Sequence, residues 1–234
     1  MGKRLIQQRR GRGTSTYRAN GHHVKGEFSR PSLPTMGTVV DVIHCPAHTA
    51  PVMEISYVTG EQLLAPAPVG IKVGDAITIG SGELQRGNVM SLRDIPEGTA
   101  IHNIELKPGD GGKLVRSSGT AARVISKTET GVRVKLPSKK EKIFPFECRA
   151  SIGILGGGGR PEKPFLKAGA RWHKMKARNK HYPRVCGISM NAVDHPFGGK
   201  CSHSKGRPTL SPRSAPPGRK VGKIAPRRTG RRKE

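Results

Sequence analysis

The chain has 234 residues and carries 43 Lys and Arg against 16 Asp and Glu, with 33% hydrophobic and only 4% aromatic residues. This composition excludes a single large core across the whole length, and no apolar run approaches the roughly 20 residues of a membrane-spanning helix. The start of the sequence, MGKRLIQQRRGRG, has no apolar segment of the kind found in a secretory signal.

The positive charge is concentrated at the two ends of the chain. Residues 1–37 carry 8 basic and 1 acidic side chains (net +7), residues 38–155 carry 14 and 12 (net +2), and residues 156–234 carry 21 and 3 (net +18). A nearly neutral middle segment, able to form a core, therefore lies between two polycationic arms. Arms of this composition usually become ordered on a polyanion, and nucleic acid is the expected one. An acidic membrane surface is the alternative partner, but the arms lack the apolar stripe that interfacial helices have.

Two groups of short β-strands are predicted in the middle segment. β-branched and alternating runs separated by turn residues predict the first group, at residues 38–44, 52–58, 62–65 and 76–79. A strong turn signal, Pro108 to Gly112, lies within the second group, which is predicted at residues 100–106, 120–126, 132–136, 142–146 and 150–154. Each group is typical of a small β-barrel. Helical periodicity is weak and confined to residues 170–180, and Gly156–Gly159 predicts a flexible break rather than a phosphate-binding loop.

Several motifs resemble those of one family. The segment MNAVDHPFGG, residues 190–199, is similar to the signature of the universal large-subunit ribosomal protein L2 family. The resemblance extends over essentially the whole chain, through GKR and QQRRGRG near the start, ELKPGDGGKLVRSSG at 105–119, KP, KAG and WH at 163–173, and APPGRKVG and RRTGR near the end. Ala192, where bacterial and eukaryotic members commonly have Pro, indicates the archaeal type.

The resemblance implies both a fold and a function. The expected fold is mostly β, with a basic N-terminal arm (1–37), an OB-fold barrel (38–90), an SH3-like barrel (91–155) and a long basic C-terminal extension (156–234). The expected function is that of a structural, non-enzymatic constituent of the cytoplasmic ribosome. Its expected partners are 23S rRNA, neighbouring large-subunit proteins and, through an intersubunit bridge, the small subunit.

The residues expected to contact rRNA are mostly cations of the two arms, because Arg and Lys recognise phosphates. They are joined by three residues of the signature segment. The set is Arg9, Arg10, Arg12, Lys174, Lys176, Arg178, Asn191, Asp194, His195, Arg219, Lys220, Arg227, Arg228 and Arg231.

His195 has two interpretations. Its imidazole titrates near neutral pH and Asp194 is adjacent, so general acid–base chemistry is conceivable. No nucleophile motif accompanies the pair, and the resemblance assigns peptide-bond chemistry to RNA. We therefore expect His195 to have a hydrogen-bonding and packing role in a tight turn against rRNA.

The four cysteines are spread along the chain and indicate a reduced, cytosolic protein. Cys186, Cys201 and His203, with His181 as a fourth ligand, form a candidate Zn²⁺ site. No C-x-x-C pair supports this site, so free thiols and a disulfide remain alternatives. Cys45 and Cys148 are expected to be ordinary residues of the barrels.

Two other functions fit parts of the sequence. A free-standing RNA chaperone or translation factor also uses an OB-type barrel, although it would not need nearly 80 residues of basic extension. An RNA-processing enzyme built on Asp194 and His195 would need clustered acids, whereas residues 156–234 contain only Glu162, Asp194 and Glu234.

Overall fold

The computed structural model describes residues 2–18, 24–80, 82–199 and 208–227, and the chain divides into two compact units. The first, here called the β unit, comprises residues 24–166. The second, here called the terminal unit, combines residues 2–18 with the described residues from 167 to 227. The mostly β class is confirmed, and no helix in the described residues has the length and apolar character needed to cross a membrane.

The β unit contains ten strands that form one sheet. The strand order across the sheet is β3-β2-β1-β4-β5-β10-β6-β7-β8-β9, and only β4 and β5 are parallel neighbours. The strands are β1 (Thr35–Ile43), β2 (Val52–Tyr57), β3 (Gln62–Pro66), β4 (Ala76–Gly80), β5 (Val89–Ser91), β6 (Ala100–His102), β7 (Ala122–Thr128), β8 (Gly131–Lys135), β9 (Glu141–Phe144) and β10 (Arg149–Ile152).

Two main hydrophobic cores lie within this unit, beside a small third cluster of Phe28, Cys45 and Val52. The first is built from residues between Val39 and Val89, with Ile55 and Ile77 at its centre, and the second from residues between Met90 and Ile152. Side chains that alternate along each strand supply both cores, since successive residues of a strand point to opposite faces. Two cores on one sheet are consistent with an OB-fold barrel followed by an SH3-like barrel. The four-segment division of the chain stays a prediction.

The predicted strand at 100–106 is wrong in its second half. β6 ends at His102 because Asn103 has a φ of 48°, a left-handed conformation that an extended strand does not contain. The chain then turns so that the carboxylate of Glu105 is completely buried. The strand β5 was not predicted, since three residues are too few to show a period.

A buried ion network surrounds Glu105. Its carboxylate lies 3.0 Å from Nη2 of Arg149 and 3.8 Å from Nη1 of Arg30, and it also accepts the backbone N–H of Arg149 at 2.9 Å. Nη2 of Arg30 donates to the carbonyl of Asn103 at 2.6 Å and to Oγ of Ser151 at 2.8 Å. Burial lowers the pKa of Arg30 to about 10, and the charge of Glu105 opposes that shift. The network attaches the segment around Arg30, from the predicted N-terminal arm, to the second barrel.

The segment Gly156–Gly159, predicted to be a flexible break, is hydrogen-bonded at its start. The N–H of Gly156 donates to the carbonyl of Ala67 at 2.9 Å, and its own carbonyl accepts from Gly119 at 3.1 Å. Gly119 has a φ of 69°, and a Cβ there would lie 2.5 Å from Cα of Gly158. The glycines thus permit two loops to approach closely, and residues 156–166 belong to the β unit.

The buried His102 makes the stability of the β unit depend on pH. Burial lowers its pKa to about 4, so the folded state keeps the imidazole neutral while the unfolded chain binds a proton below about pH 6.5. The stability it contributes is therefore fully present above pH 6.5 and is lost as the pH falls toward 4. We expect protonation of His102 in the unfolded chain to lower the unfolding free energy of the wild type by about 3 kcal/mol over this range. Denaturant titration at several pH values measures this loss.

The matching variants are His102→Gln and His44→Gln. His102→Gln should remove most of that pH-dependent loss, whatever its effect at neutral pH. His44→Gln removes an exposed imidazole instead and should retain the loss that His102 causes. Identical profiles for the wild type and His102→Gln would contradict the prediction.

The terminal unit has little regular structure. It contains two α-helices, two 3₁₀ turns and one parallel pair of short strands. These elements are α1 (Ile6–Gly11), the turn Ser15–Tyr17, α2 (Ala168–Ala177), the turn Gly187–Ser189, β11 (Leu210–Ser211) and β12 (Lys223–Ile224). The weak helical signal at 170–180 is confirmed by α2, whereas α1 was not predicted.

Candidate nucleic-acid interface

A small apolar cluster holds the terminal unit together. Leu5, Phe197 and Val221 are buried against one another, with Ile188 packed beside them. The three residues come from the start of the chain, the signature loop and the region between β11 and β12. Burial of such side chains contributes roughly 1.5–3 kcal/mol each. The two basic arms therefore share one core.

Two hydrogen bonds fix the N-terminal segment within this unit. The N–H of Lys3 donates to the carbonyl of Val193 at 2.7 Å, and Nε2 of Gln7 donates to the carbonyl of Lys220 at 2.6 Å. Lys3 also lies 3.5 Å from Asp194, but both side chains are substantially exposed, so this pair contributes little. The N-terminal segment is positioned mainly by these two hydrogen bonds and by Leu5.

All the predicted rRNA-binding residues that the structure describes lie in the terminal unit. Arg9, Arg10 and Arg12 are exposed in and after the last turn of α1, and Arg219 and Arg227 are exposed near the end of the described chain. Lys174 and Lys176 lie in the last turns of α2, followed by its cap residue, Arg178. Arg228 and Arg231 lie outside the described residues.

The signature loop is closed by hydrogen bonds around His195. The N–H groups of Asp194 and His195 both donate to the carbonyl of Asn191, at 3.0 and 3.1 Å. Nδ1 of His195 lies 3.0 Å from the backbone N–H of Phe197, which can only donate, so Nδ1 is the acceptor. Burial lowers the pKa of His195, which agrees with a neutral ring. This geometry gives the imidazole a role in shaping the loop.

A cleft of about 510 Å³ brings four of the predicted residues together. Arg10, Asp194, His195 and Lys220 all line it, although they come from three distant parts of the sequence. The α2 cations Lys174 and Arg178 do not line this cleft. The predicted set is thus divided between this cleft, the α2 region and the exposed cations of the arms.

The zinc hypothesis stays a prediction. Cys186 is exposed and its thiol is free, and it lines the same cleft as His181. Cys201 and His203 lie outside the described residues. Within residues 2–18, 24–80, 82–199 and 208–227, no cluster of three or more His, Cys, Asp or Glu is arranged to hold a metal. Cys45 and Cys148 are buried, as expected of residues in the barrels.

Sequence reasoning missed an aromatic pocket beside α2. Trp172, Tyr17 and Tyr182 line it together with three cations. The available signal was the Trp172–Lys176 pair, which has the i, i+4 spacing of neighbours on a helix. The contributions of Tyr17 and Tyr182 depend on the tertiary structure.

The β unit with its two main cores and the cationic terminal unit define a basic, mostly β protein. Comparison with known proteins gives the family. The family described as "Ribosomal Proteins L2, C-terminal domain" matches residues 85–215.

Relatives named "Large ribosomal subunit protein uL2" match nearly the whole chain. The one from Haloquadratum walsbyi is 50% identical over 236 residues, covering 99% of this chain and 97% of the relative. Those from Methanococcoides burtonii and Methanocaldococcus jannaschii are 50% and 49% identical, covering 99% and 100% of this chain and all of each relative.

The chain therefore belongs to the ribosomal protein L2 family, and the archaeal type is confirmed. Membership makes it a structural constituent of the large subunit of the cytoplasmic ribosome and not an enzyme. The enzymatic interpretation of Asp194 and His195 is thereby wrong. Membership also favours the ribosomal constituent over the free-standing RNA chaperone.

Proposed function

We propose that this protein is a primary binder of 23S rRNA that supports assembly of the large subunit and of its peptidyl transferase region. It also contacts neighbouring large-subunit proteins and takes part in a bridge to the small subunit. The observation that carries the proposal is the collection of the described rRNA-binding candidates into one compact unit with a small shared core. A solvated surface without a partner would not account for a net charge of +18 on residues 156–234, from 21 basic and 3 acidic side chains.

The cationic unit predicts that rRNA binding depends strongly on salt. Each neutralised phosphate releases counterions, so a protein with roughly 6–10 phosphate contacts loses about 10³–10⁵ in affinity between 50 and 200 mM salt. We expect the affinity of the full chain for transcribed 23S rRNA to fall by this order, as measured by filter binding across the same salt range. Changing Arg9, Arg12, Arg219 and Arg227 to Gln should lower the slope by about 0.7–0.9 per lost contact. All four are exposed, so the fold should persist.

A matched variant distinguishes phosphate contacts made by the terminal unit from an effect of the overall net charge. Arg133, Lys135, Lys139 and Lys140 are exposed cations of the β unit, and changing them to Gln removes the same net charge. This variant should keep a steeper slope than the terminal-unit variant. Equal slopes for the two variants would contradict the assignment of phosphate contacts to the terminal unit, and a flat slope for the wild type would contradict the proposed function.

A further inference from the structure

A pocket of about 400 Å³ lies at the C-terminal end of α2, within the terminal unit. We call it the Trp172 pocket. Its volume is in the range of small-molecule sites, roughly 300–1,000 Å³. The residues that line it are Ser15, Thr16, Tyr17, Arg18, Trp172, Lys176, Asn179, Lys180, His181 and Tyr182.

The end of α2 builds one wall of this pocket. The N–H of Lys180 donates to the carbonyl of Met175 at 2.8 Å, and the N–H of Asn179 donates to that of Lys176 at 3.0 Å. These two bonds form the Schellman motif, which ends a helix. The residue that follows the helix cap in this motif has a left-handed backbone conformation and is usually Gly, sometimes Asn. Here it is Asn179, with a φ of 52°. Its side-chain amide donates to the carbonyl of Tyr17 and so attaches the turn Ser15–Tyr17 to the helix end.

The chemistry of the lining is selective. Among the described residues around the pocket there is neither a carboxylate nor an aliphatic side chain; the lining consists of aromatic rings, hydroxyl and amide groups and cations. Nζ of Lys176 lies 4.8 Å from the centroid of the Trp172 ring, and the guanidinium of Arg171 lies 5.4 Å from that of Tyr182. Trp172 nevertheless remains 40% exposed, so the indole is accessible to a further planar group.

Aromatic faces beside cations and hydrogen-bonding groups match an unpaired nucleobase. Proteins recognise single-stranded RNA by stacking splayed-out bases on aromatic side chains while cations hold the backbone. An aliphatic peptide side chain would find no apolar partner of its own kind here, and a carboxylate would pair with the cations but has no ring to stack on the aromatic faces.

We propose that the Trp172 pocket binds one unpaired nucleobase of RNA, stacked on the indole, with Lys180 and Arg18 beside its flanking phosphates. The inference rests on the proposed RNA-binding function and adds to it the recognition of an unpaired base. A nucleotide within a regular A-form helix cannot enter, because its base is paired and stacked.

The pocket has a built-in reporter, because Trp172 is the only tryptophan in the chain. Two hairpin RNAs serve as probes: one with a single bulged adenosine in a G·C stem and one with the same stem fully paired. Titrated into the full chain at one salt concentration, the bulged hairpin should quench the tryptophan emission and bind roughly 10–100-fold more tightly than the paired one. The paired hairpin should bind through its phosphates with little quenching.

Variants connect this preference to the pocket. Trp172→Leu should abolish the preference for the bulge, measured by anisotropy of labelled RNA, and leave affinity for the paired hairpin within about twofold. Trp172→Phe should keep part of the preference, since a smaller ring still stacks. Asn179→Gly retains the left-handed helix end but loses the bond to Tyr17, and should give an intermediate loss. Lys223→Gln is the control for Lys180→Gln, because both remove one exposed cation and only Lys180 lines the pocket.

The outcomes separate the two proposals. If both hairpins bind equally well and the emission does not change, the pocket does not hold a base and the inference is overturned, while the proposed function stands. If neither hairpin nor 23S rRNA binds, the proposed function fails. If the preference for the bulge survives in Trp172→Leu, some other site is responsible and the inference is again overturned.

Discussion

Replacing Glu105 by Gln is expected to lower the unfolding free energy of the β unit by roughly 3–5 kcal/mol, the cost of leaving a buried ion pair without one partner. The Glu105 side chain is fully buried, and Arg30 is almost so, with a side-chain exposure of 1%. Gln keeps the size of Glu but removes the charge that neutralises two guanidinium groups. Urea denaturation followed by circular dichroism of the strands measures the loss.

Two further variants define the reason for that loss. Glu141→Gln removes an exposed carboxylate of the same unit and should change stability by less than about 0.5 kcal/mol. Arg30→Met should cost less than Glu105→Gln, because Arg149 remains 3.0 Å from the carboxylate and still neutralises it. A Glu105→Gln protein as stable as the wild type would show that the network does not stabilise the fold.

The strands of the β unit could largely be predicted from the sequence, and the ion network could not. In β8, Val132 and Val134 alternate with polar residues, and in β2 the apolar residues at 53, 55 and 57 do the same; turn residues bound both strands, and this local pattern was sufficient. Arg30, Glu105 and Arg149 are more than 40 residues apart in sequence, as the separations of 44 and 119 for their bonds show. Only the folded topology brings such charges together.

The same reasoning explains what was and was not predicted in the terminal unit. Its cations could be identified from composition, and the signature loop from a resemblance. The joining of the two arms into one unit could not, because Leu5, Phe197 and Val221 are isolated apolar residues without periodicity. Helix α1 has only six residues, and Leu5 at its N-cap is not a residue type that predicts a helix start.

Replacing Leu5 by Ala is expected to unfold the terminal unit while leaving the β unit intact. A buried Leu to Ala change typically costs roughly 2–5 kcal/mol, and among the described residues the apolar cluster has only three buried members. Trp172 belongs to the terminal unit and is the only tryptophan, so its emission reports this unit alone, whereas circular dichroism of the strands reports the β unit. In urea, the emission transition of Leu5→Ala should move to lower denaturant or disappear, and the strand transition should stay within about 0.5 kcal/mol of the wild type.

Leu33→Ala is the matched control, since Leu33 is 74% exposed and its truncation should shift neither transition. If Leu5→Ala left the tryptophan transition unchanged, the two basic arms would not depend on a shared core, and each would have to become ordered on RNA separately.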